Sequence, residues 1–84
     1  MLKMKYKIEI QPLAGRYVVA LKDPVTGNLE KALSVNGSAA EIIRLFSNGM
    51  DINTIAKTLS AEYGVPAERV FADARTVIGH LGLS

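Results

Sequence analysis

Side chains that could carry catalysis or hold a metal ion are few and scattered in this chain of 84 residues. His80 is the only histidine and there is no cysteine, so a metal site would depend on one imidazole and distant carboxylates. Asp73 and Glu41 have no nucleophile or second acid at a spacing typical of acid–base catalysis. Gly37 and Gly49 are isolated, unlike the glycines of a phosphate loop. We therefore expect no enzyme activity, no metal and no cofactor.

Ser38 is a hydroxyl that could be considered as a nucleophile or a carrier attachment site, but its surroundings indicate a structural role. Glu41 follows three residues later, the spacing of a capping box, in which each side chain satisfies a backbone donor near the other. Asn36 and Gly37 precede it, as is common where a helix starts. The sequence therefore predicts Ser38 as the N-cap of the first helix.

Length and composition favour a small globular protein. With 84 residues we expect one domain, residues 1–84, near the lower size limit for a single apolar core. The chain is 49% hydrophobic, which argues against disorder, yet no apolar stretch approaches the roughly 18 residues of a membrane span. The basic start lacks the apolar region of a signal peptide, and the absence of cysteine makes a reducing cytoplasm the expected compartment.

The net charge of +2 is unevenly distributed. Residues 1–22 contain one acidic residue, Glu9, and several basic residues. The basic residues of this segment are Lys3, Lys5, Lys7, Arg16 and Lys22. We interpret them as exposed strand positions, where lysine keeps the sheet soluble and discourages edge-to-edge aggregation.

Two strands are predicted in the first part of the chain. Residues 5–11 alternate apolar and polar side chains, the two-residue period of a strand with one buried face. Pro12 cannot donate to a strand ladder and is expected to end this strand. Gly15 permits a turn, and residues 16–22, rich in β-branched and aromatic side chains, then form the second strand.

A third strand follows a longer turn. Residues 23–28 contain proline and a Gly-Asn pair, which suit a reversal of the chain. Residues 29–35 are expected to form the strand, with Leu29, Leu33 and Val35 on one face.

The rest of the chain predicts three helices. The first begins at Ser38 and ends at Gly49, which suits the left-handed position after a helix. Asp51 is expected to cap the second helix. The third helix is expected from about residue 67 to residue 80, with Pro66 at its start, where a first-turn proline is tolerated. The expected fold class is α+β, resembling a winged helix-turn-helix, with a three-stranded antiparallel sheet followed by a three-helix bundle.

Several short stretches, taken with this order of elements, resemble a known family. They are Val35-Asn36-Gly37-Ser38-Ala39-Ala40-Glu41-Ile42-Ile43, Asn48-Gly49, Asp51-Ile52-Asn53-Thr54-Ile55-Ala56, Tyr63-Gly64-Val65, and Asp73 in the third helix. Together they resemble the PqqD family, which also supplies the recognition element of many enzymes that modify ribosomally made peptides. The resemblance covers nearly the whole chain and is strongest over residues 33–81. The turn over residues 23–28 is longer than the family pattern, and Gly79 replaces a larger apolar residue.

The resemblance implies a peptide chaperone. Members bind the leader of a precursor peptide and present it to a modifying enzyme, commonly a radical S-adenosylmethionine enzyme. The peptide is expected to add as an antiparallel strand beside the third strand, in the groove between that strand and the third helix. The strand residues so implied are Leu29, Glu30, Lys31, Ala32, Leu33, Ser34 and Val35. Such addition is physically reasonable, because an edge strand exposes unpaired N–H and C=O groups.

One flank of the third helix is the expected wall of that groove. A helical wheel at about 100° per residue places Phe71, Arg75 and Ile78 along one edge of the core stripe. A large apolar pair beside a guanidinium suits a peptide that carries apolar and acidic residues. The alternative is that Phe71 and Ile78 belong to the core and that Arg75 is a solvated charge.

Two other functions fit parts of the pattern. The helix-turn-helix spacing is compatible with a winged-helix DNA-binding regulator. However, the third helix mixes basic and acidic residues and has no lysine, so phosphate contacts would be few and nucleic acid is disfavoured. Another protein-interaction role is the second alternative. An exposed third strand could also pair with its own copy, so we expect a monomer or a weak homodimer.

Overall fold

The computed structural model describes residues 6–82. Its elements are, in chain order, β1 (Lys7–Leu13), β2 (Arg16–Lys22), β3 (Leu29–Val35), α1 (Gly37–Ser47), α2 (Ile52–Tyr63) and α3 (Ala67–His80). The strands form one antiparallel sheet in the order β1-β2-β3. The predicted α+β class, three antiparallel strands followed by three helices, is confirmed.

The chain falls into two compact units, Met1–Glu41 with the sheet and Ile42–Ser84 with α2 and α3. The expected single domain stays a prediction. None of the helices within residues 6–82 combines the length and apolar character needed to cross a bilayer.

A two-residue turn joins β1 to β2. Leu13 pairs with Arg16, and between them Ala14 and Gly15 have φ angles of 52° and 78°. Two successive positive φ angles are typical of a type I′ turn, whose twist matches that of the strands. In such a turn the flanking pair is hydrogen-bonded, so the turn sets the register and the direction of every backbone group that follows in β2.

Pro12 does not end β1, contrary to the sequence prediction. It pairs with Tyr17, and the strand continues to Leu13. Because Leu13 is in the hydrogen-bonded pair that closes the turn, the preceding residue directs its nitrogen away from β2. β1 is an edge strand, and there a proline whose nitrogen faces outward removes no ladder bond. Lys5, the predicted first residue of this strand, lies outside the described residues.

The turn between β2 and β3 is organised by Asp23, which confirms the predicted turn over residues 23–28. Its Oδ1 accepts the backbone N–H of Val25 at 2.8 Å and of Thr26 at 2.9 Å. The backbone N–H groups of Thr26 and Val25 hold the pKa of Asp23 below its ordinary value. The Asp23 carbonyl also accepts the N–H of Gly27 at 2.8 Å, so the loop is closed by local bonds.

A β-bulge interrupts the pairing of β2 with β3. Leu21 pairs with Lys31, but Lys22 pairs with Leu29, so Glu30 is an extra residue in β3. An extra residue shifts the alternation of side chains by one position. Two residues that are an even number of positions apart share a face in a regular strand, but they lie on opposite faces when the bulge is between them.

The bulge places Leu29 on a different face from the one predicted. Directly paired residues share a face, so Leu29 lies on the face of Lys22 and not on that of Leu33 and Val35. Leu29 is 60% exposed, whereas Leu33 and Val35 are half-buried. The prediction that these three apolar residues share one face is wrong, because the alternation on which it rests stops at the bulge.

Asn36 caps α1, and the prediction that Ser38 does so is wrong. The Asn36 Oδ1 accepts the backbone N–H of Ala39 at 2.9 Å and the hydroxyl of Ser38 at 3.1 Å. The helix begins at Gly37, so Ser38 already lies inside it. Glu41 is then beyond the third helical position that a capping box requires. Both Asn and Ser suit an N-cap, and the helix starts after the first of them.

The cap gives a prediction about stability. Asn36→Ala should lower the free energy of unfolding by about 1 kcal/mol, because the Ala39 N–H loses its partner. Ser38→Ala, inside the first turn, should cost at most about 0.5 kcal/mol, as surface substitutions usually do. Urea denaturation of both variants measures the difference. A Ser38→Ala cost equal to or above that of Asn36→Ala would contradict the assignment of the cap.

The end of α1 and the start of α2 agree with prediction. Gly49, with φ 93°, follows α1 and donates its N–H to the Phe46 carbonyl at 3.0 Å. Asp51 caps α2, and its Oδ1 accepts the Thr54 N–H at 2.7 Å. This backbone bond, with the side-chain bond to Thr54, holds the pKa of Asp51 below its ordinary value.

The third helix, α3, begins at Ala67 as predicted, but Pro66 has a different role from the one expected. Gly64 ends α2 in the left-handed conformation, with φ 68°, and its N–H bonds to the Ser60 carbonyl at 2.9 Å. Pro66 is the N-cap of α3 and not a first-turn residue, because its ψ of 135° is extended and the helix starts at Ala67. Its carbonyl accepts the Val70 N–H at 3.2 Å.

The unit Ile42–Ser84, called the helical unit below, is held together by a contiguous apolar cluster. Its buried members are Ile42, Leu45, Ile55, Ala56, Leu59, Val70, Ala74 and Ile78. They recur at helical spacing, so each helix turns one apolar stripe inward. Burial of these stripes is the main favourable contribution to folding of this unit.

Candidate functional site

The outer edge of β3 is the first element of the candidate site. β3 has β2 on one side, and within residues 6–82 no strand pairs with the other. The β1–β2 turn determines which backbone groups face which neighbour. Because Leu13 and Arg16 are the hydrogen-bonded pair of that turn, Arg16 faces β1, and so do alternate residues after it. Tyr17, Val19 and Leu21 therefore direct their backbone groups toward β3.

Ala32 and Ser34 are the residues whose backbone groups point away from the sheet. They pair with Ala20 and Val18, whose own groups face β1, so neither pair exchanges hydrogen bonds. Leu33, between them, faces β2. The N–H and C=O groups of Ala32 and Ser34 thus form a short unpaired ladder along the edge, with the spacing that an added strand requires.

β1 has the second open edge, but it is a poorer template. Since Pro12 directs its nitrogen outward and has no N–H, one donor is missing from that edge. β3 contains no proline, and both Ala32 and Ser34 are exposed. The β3 edge is therefore the better place for an extended ligand to pair.

Arg16, predicted from the sequence only as a solubilising charge, extends the site across the sheet. Its Nε donates to Ser34 Oγ at 2.9 Å, and its Nη2 donates to the Ser34 carbonyl oxygen at 3.4 Å. Since that carbonyl points outward, the guanidinium reaches the open edge. The neighbouring ion pair between Lys22 and Glu9, at 2.9 Å, does not involve Arg16.

A shallow hollow of about 510 Å³ lies on the sheet face that carries Arg16. Its lining residues are Glu9, Gln11, Val18, Ala20, Lys22, Gly27, Leu29 and Ala32. The middle of this lining is apolar, and Leu29 contributes to it only because the bulge turns its side chain to this face. Ala32 therefore borders the hollow with its side chain and the open edge with its backbone.

The three predicted residues of α3 differ in exposure. Ile78 is fully buried in the apolar cluster of the helical unit, whereas Phe71 packs against that cluster and is half-buried. Arg75 is exposed, with its guanidinium carbon 6.0 Å from the centroid of the Phe71 ring, the outer limit of a cation–π contact. Phe71 also borders a hollow of about 260 Å³ between α2 and α3. Contact of these three residues with a peptide stays a prediction.

The carboxylates with shifted pKa values have structural partners. Beyond Asp23 and Asp51, the pKa of Glu9 is lowered, first by its hydrogen bond from Lys22 and then by the charge of that lysine. In the part of the chain that the structure describes, no three potential metal-binding side chains lie close enough to share an ion.

One comparison with known proteins gives a match. A family model described as "Coenzyme PQQ synthesis protein D (PqqD)" matches residues 15–82. No curated protein and no solved structure gives a match. The matched segment starts in the turn between β1 and β2 and ends just after α3, so it includes two strands of the sheet and all three helices. Since this is most of the chain, and the fold has the element order expected from the resemblance, the chain belongs to the PqqD family.

Proposed function

We propose that the protein is a non-catalytic peptide chaperone. It binds the leader of a ribosomally made precursor peptide and presents it to a modifying enzyme, which on the family pattern is a radical S-adenosylmethionine enzyme. Membership of the PqqD family supports a role with a peptide partner in such a pathway. The observation that carries the proposal is the open edge of β3, where Ala32 and Ser34 leave backbone groups unpaired.

Strand addition accounts for both affinity and selectivity. Backbone pairing with Ala32 and Ser34 supplies affinity that is independent of peptide sequence, and the surrounding side chains select among peptides. An open, proline-free edge is otherwise a liability, because it can pair with any extended chain. The presence of such an edge on β3 is consistent with a site that accepts an added strand.

The proposed peptide-binding residues are those of β3, Leu29–Val35, together with Phe71, Arg75 and Ile78 of α3. The β3 residues provide the backbone ladder. The α3 residues are proposed as side-chain contacts, and Ile78 would act through its packing because it has no exposed surface.

A second copy of the chain competes for the same edge, so sedimentation should show a monomer or a weak dimer that dissociates when peptide is added.

Titration of isotope-labelled protein tests the function. The probe is a synthetic leader peptide of the precursor, its sequence read from a short precursor-like reading frame if one is encoded beside the gene. We expect amide shifts centred on Ala32 and Ser34, with a dissociation constant on the order of micromolar or tighter for a small interface. Since backbone pairing dominates, raising the salt from 50 to 200 mM should weaken binding only modestly, by about tenfold at most.

Duplex DNA of mixed sequence is the contrasting ligand. Binding to phosphates falls steeply with salt, by about a thousandfold or more over the same range for a typical DNA-binding protein. Tight and salt-sensitive binding to duplex DNA, or peptide-induced shifts that avoid β3, would reject the peptide-chaperone proposal.

A further inference from the structure

We propose that Arg16 determines specificity, selecting peptides with an acidic side chain opposite Ser34 and an apolar side chain opposite Ala32. The inference rests on the strand addition at β3 proposed above. The proposed specificity site lies on the sheet face that carries Arg16 and the shallow hollow, and it includes no residue of the helices.

The guanidinium of Arg16 is held at the outer edge of β3, and some of its N–H donors remain available to a ligand. The bond from Nε to Ser34 Oγ, at 2.9 Å, fixes the plane of the group beside β3. The contact from Nη2 to the Ser34 carbonyl is longer, at 3.4 Å, and a carbonyl oxygen has a second lone pair. An incoming peptide N–H can therefore bond to the Ser34 carbonyl without displacing the arginine, which has five N–H donors in all.

Within the described residues, Arg16 has no carboxylate as an ion-pair partner. Within residues 6–82 no ion pair involves Arg16, and Glu9 on the same face is already paired with Lys22 at 2.9 Å. A guanidinium binds carboxylates through two parallel hydrogen bonds, which gives direction as well as attraction. An acidic side chain of an added strand would supply that partner at the edge.

The register of an added strand determines where this acidic residue lies. A peptide residue directly opposite Ser34 places its side chain on the face of Ser34 and Arg16, because paired residues share a face. The residue two positions away lies opposite Ala32, above the apolar part of the hollow beside Leu29. In an antiparallel strand the acidic residue comes first, so the expected motif is acidic, any residue, apolar.

Selection from a phage-displayed library of random twelve-residue peptides tests the inference. Peptides bound by the unchanged protein should be enriched in the motif acidic, any residue, apolar. Selection on Arg16→Glu should replace the acidic residue by lysine or arginine. Arg69→Glu, an equal charge change at an exposed position of α3, should leave the motif unchanged. Thermal melts of each variant confirm that it is folded.

A synthetic peptide carrying the enriched motif gives the quantitative test. Arg16→Gln should weaken its binding by about tenfold, as expected for loss of a charge-assisted pair. Replacing the acidic residue of the peptide by glutamine should weaken binding to the unchanged protein by a similar factor, and should have little further effect on Arg16→Gln.

The outcomes separate this inference from the function on which it rests. If peptides are enriched and lose binding in Ala32→Pro, but Arg16→Glu selects the same acidic motif, Arg16 does not determine specificity and strand addition stands. If no peptide is enriched, or if Ala32→Pro binds the enriched peptides normally, strand addition at β3 is wrong, and the role of Arg16 with it.

Discussion

Ala32→Pro is expected to abolish peptide binding while leaving the sheet folded. The Ala32 N–H faces the open edge, so proline removes a donor that the peptide needs and breaks no bond between β2 and β3. The proline ring also obstructs the approach of a neighbouring strand. The lost hydrogen bond alone should weaken binding by about tenfold, and the obstruction by the ring should reduce it below detection. Calorimetric titration with the leader peptide measures it.

Leu33→Pro is the matched control, one residue along the same strand. The Leu33 N–H faces β2, and its side chain is half-buried, so proline there breaks the ladder and should unfold the sheet. The two variants must therefore differ in far-ultraviolet circular dichroism and in melting temperature. Normal peptide binding by Ala32→Pro, or unfolding as extensive as that of Leu33→Pro, would show that the assigned backbone directions are wrong.

Leu59→Ala is expected to cause a large loss of stability. Leu59 is 3% exposed and belongs to the buried cluster that joins α2 to α3. Truncation should lower the free energy of unfolding by about 2–5 kcal/mol, through lost burial and the cavity that remains. That is a large share of the roughly 5–15 kcal/mol that small domains possess. Urea denaturation monitored by circular dichroism measures the change.

Lys57→Ala controls for the general effect of substitution in α2. Lys57 is exposed, and lysine and alanine are both good helix formers, so the change should stay within about 0.5 kcal/mol. Ile55→Ala, at a residue with no exposed surface in the same cluster, should resemble Leu59→Ala. A Leu59→Ala cost no larger than that of Lys57→Ala would mean that this cluster does not hold the helices together.

Much of the secondary structure could be predicted because its signals are local. The third helix was expected over residues 67–80 and is Ala67–His80. Gly49 and Asp51 have their predicted roles, since the bonds they make reach residues only three positions away. Apolar periodicity likewise depends on neighbours in sequence. The apolar face of each helix could therefore be recognised from the sequence alone.

The wrong predictions arose where local signals allow two outcomes. Asn36 and Ser38 are both good N-cap residues, and only the start of the helix shows which one has the role. Pro12 ends a central strand but is tolerated at an edge, and the position of β1 in the sheet is not visible in its own sequence.

The sequence by itself determined the order of elements, the β3 segment as a candidate edge, and the resemblance to the PqqD family. Only the tertiary structure decided which groups the edge presents. The outward direction of Ala32 and Ser34 depends on a turn closed by Leu13 and Arg16, and the bond from Arg16 to Ser34 joins residues 18 positions apart. Strand register and bulges depend on pairing between distant segments, which no local period encodes.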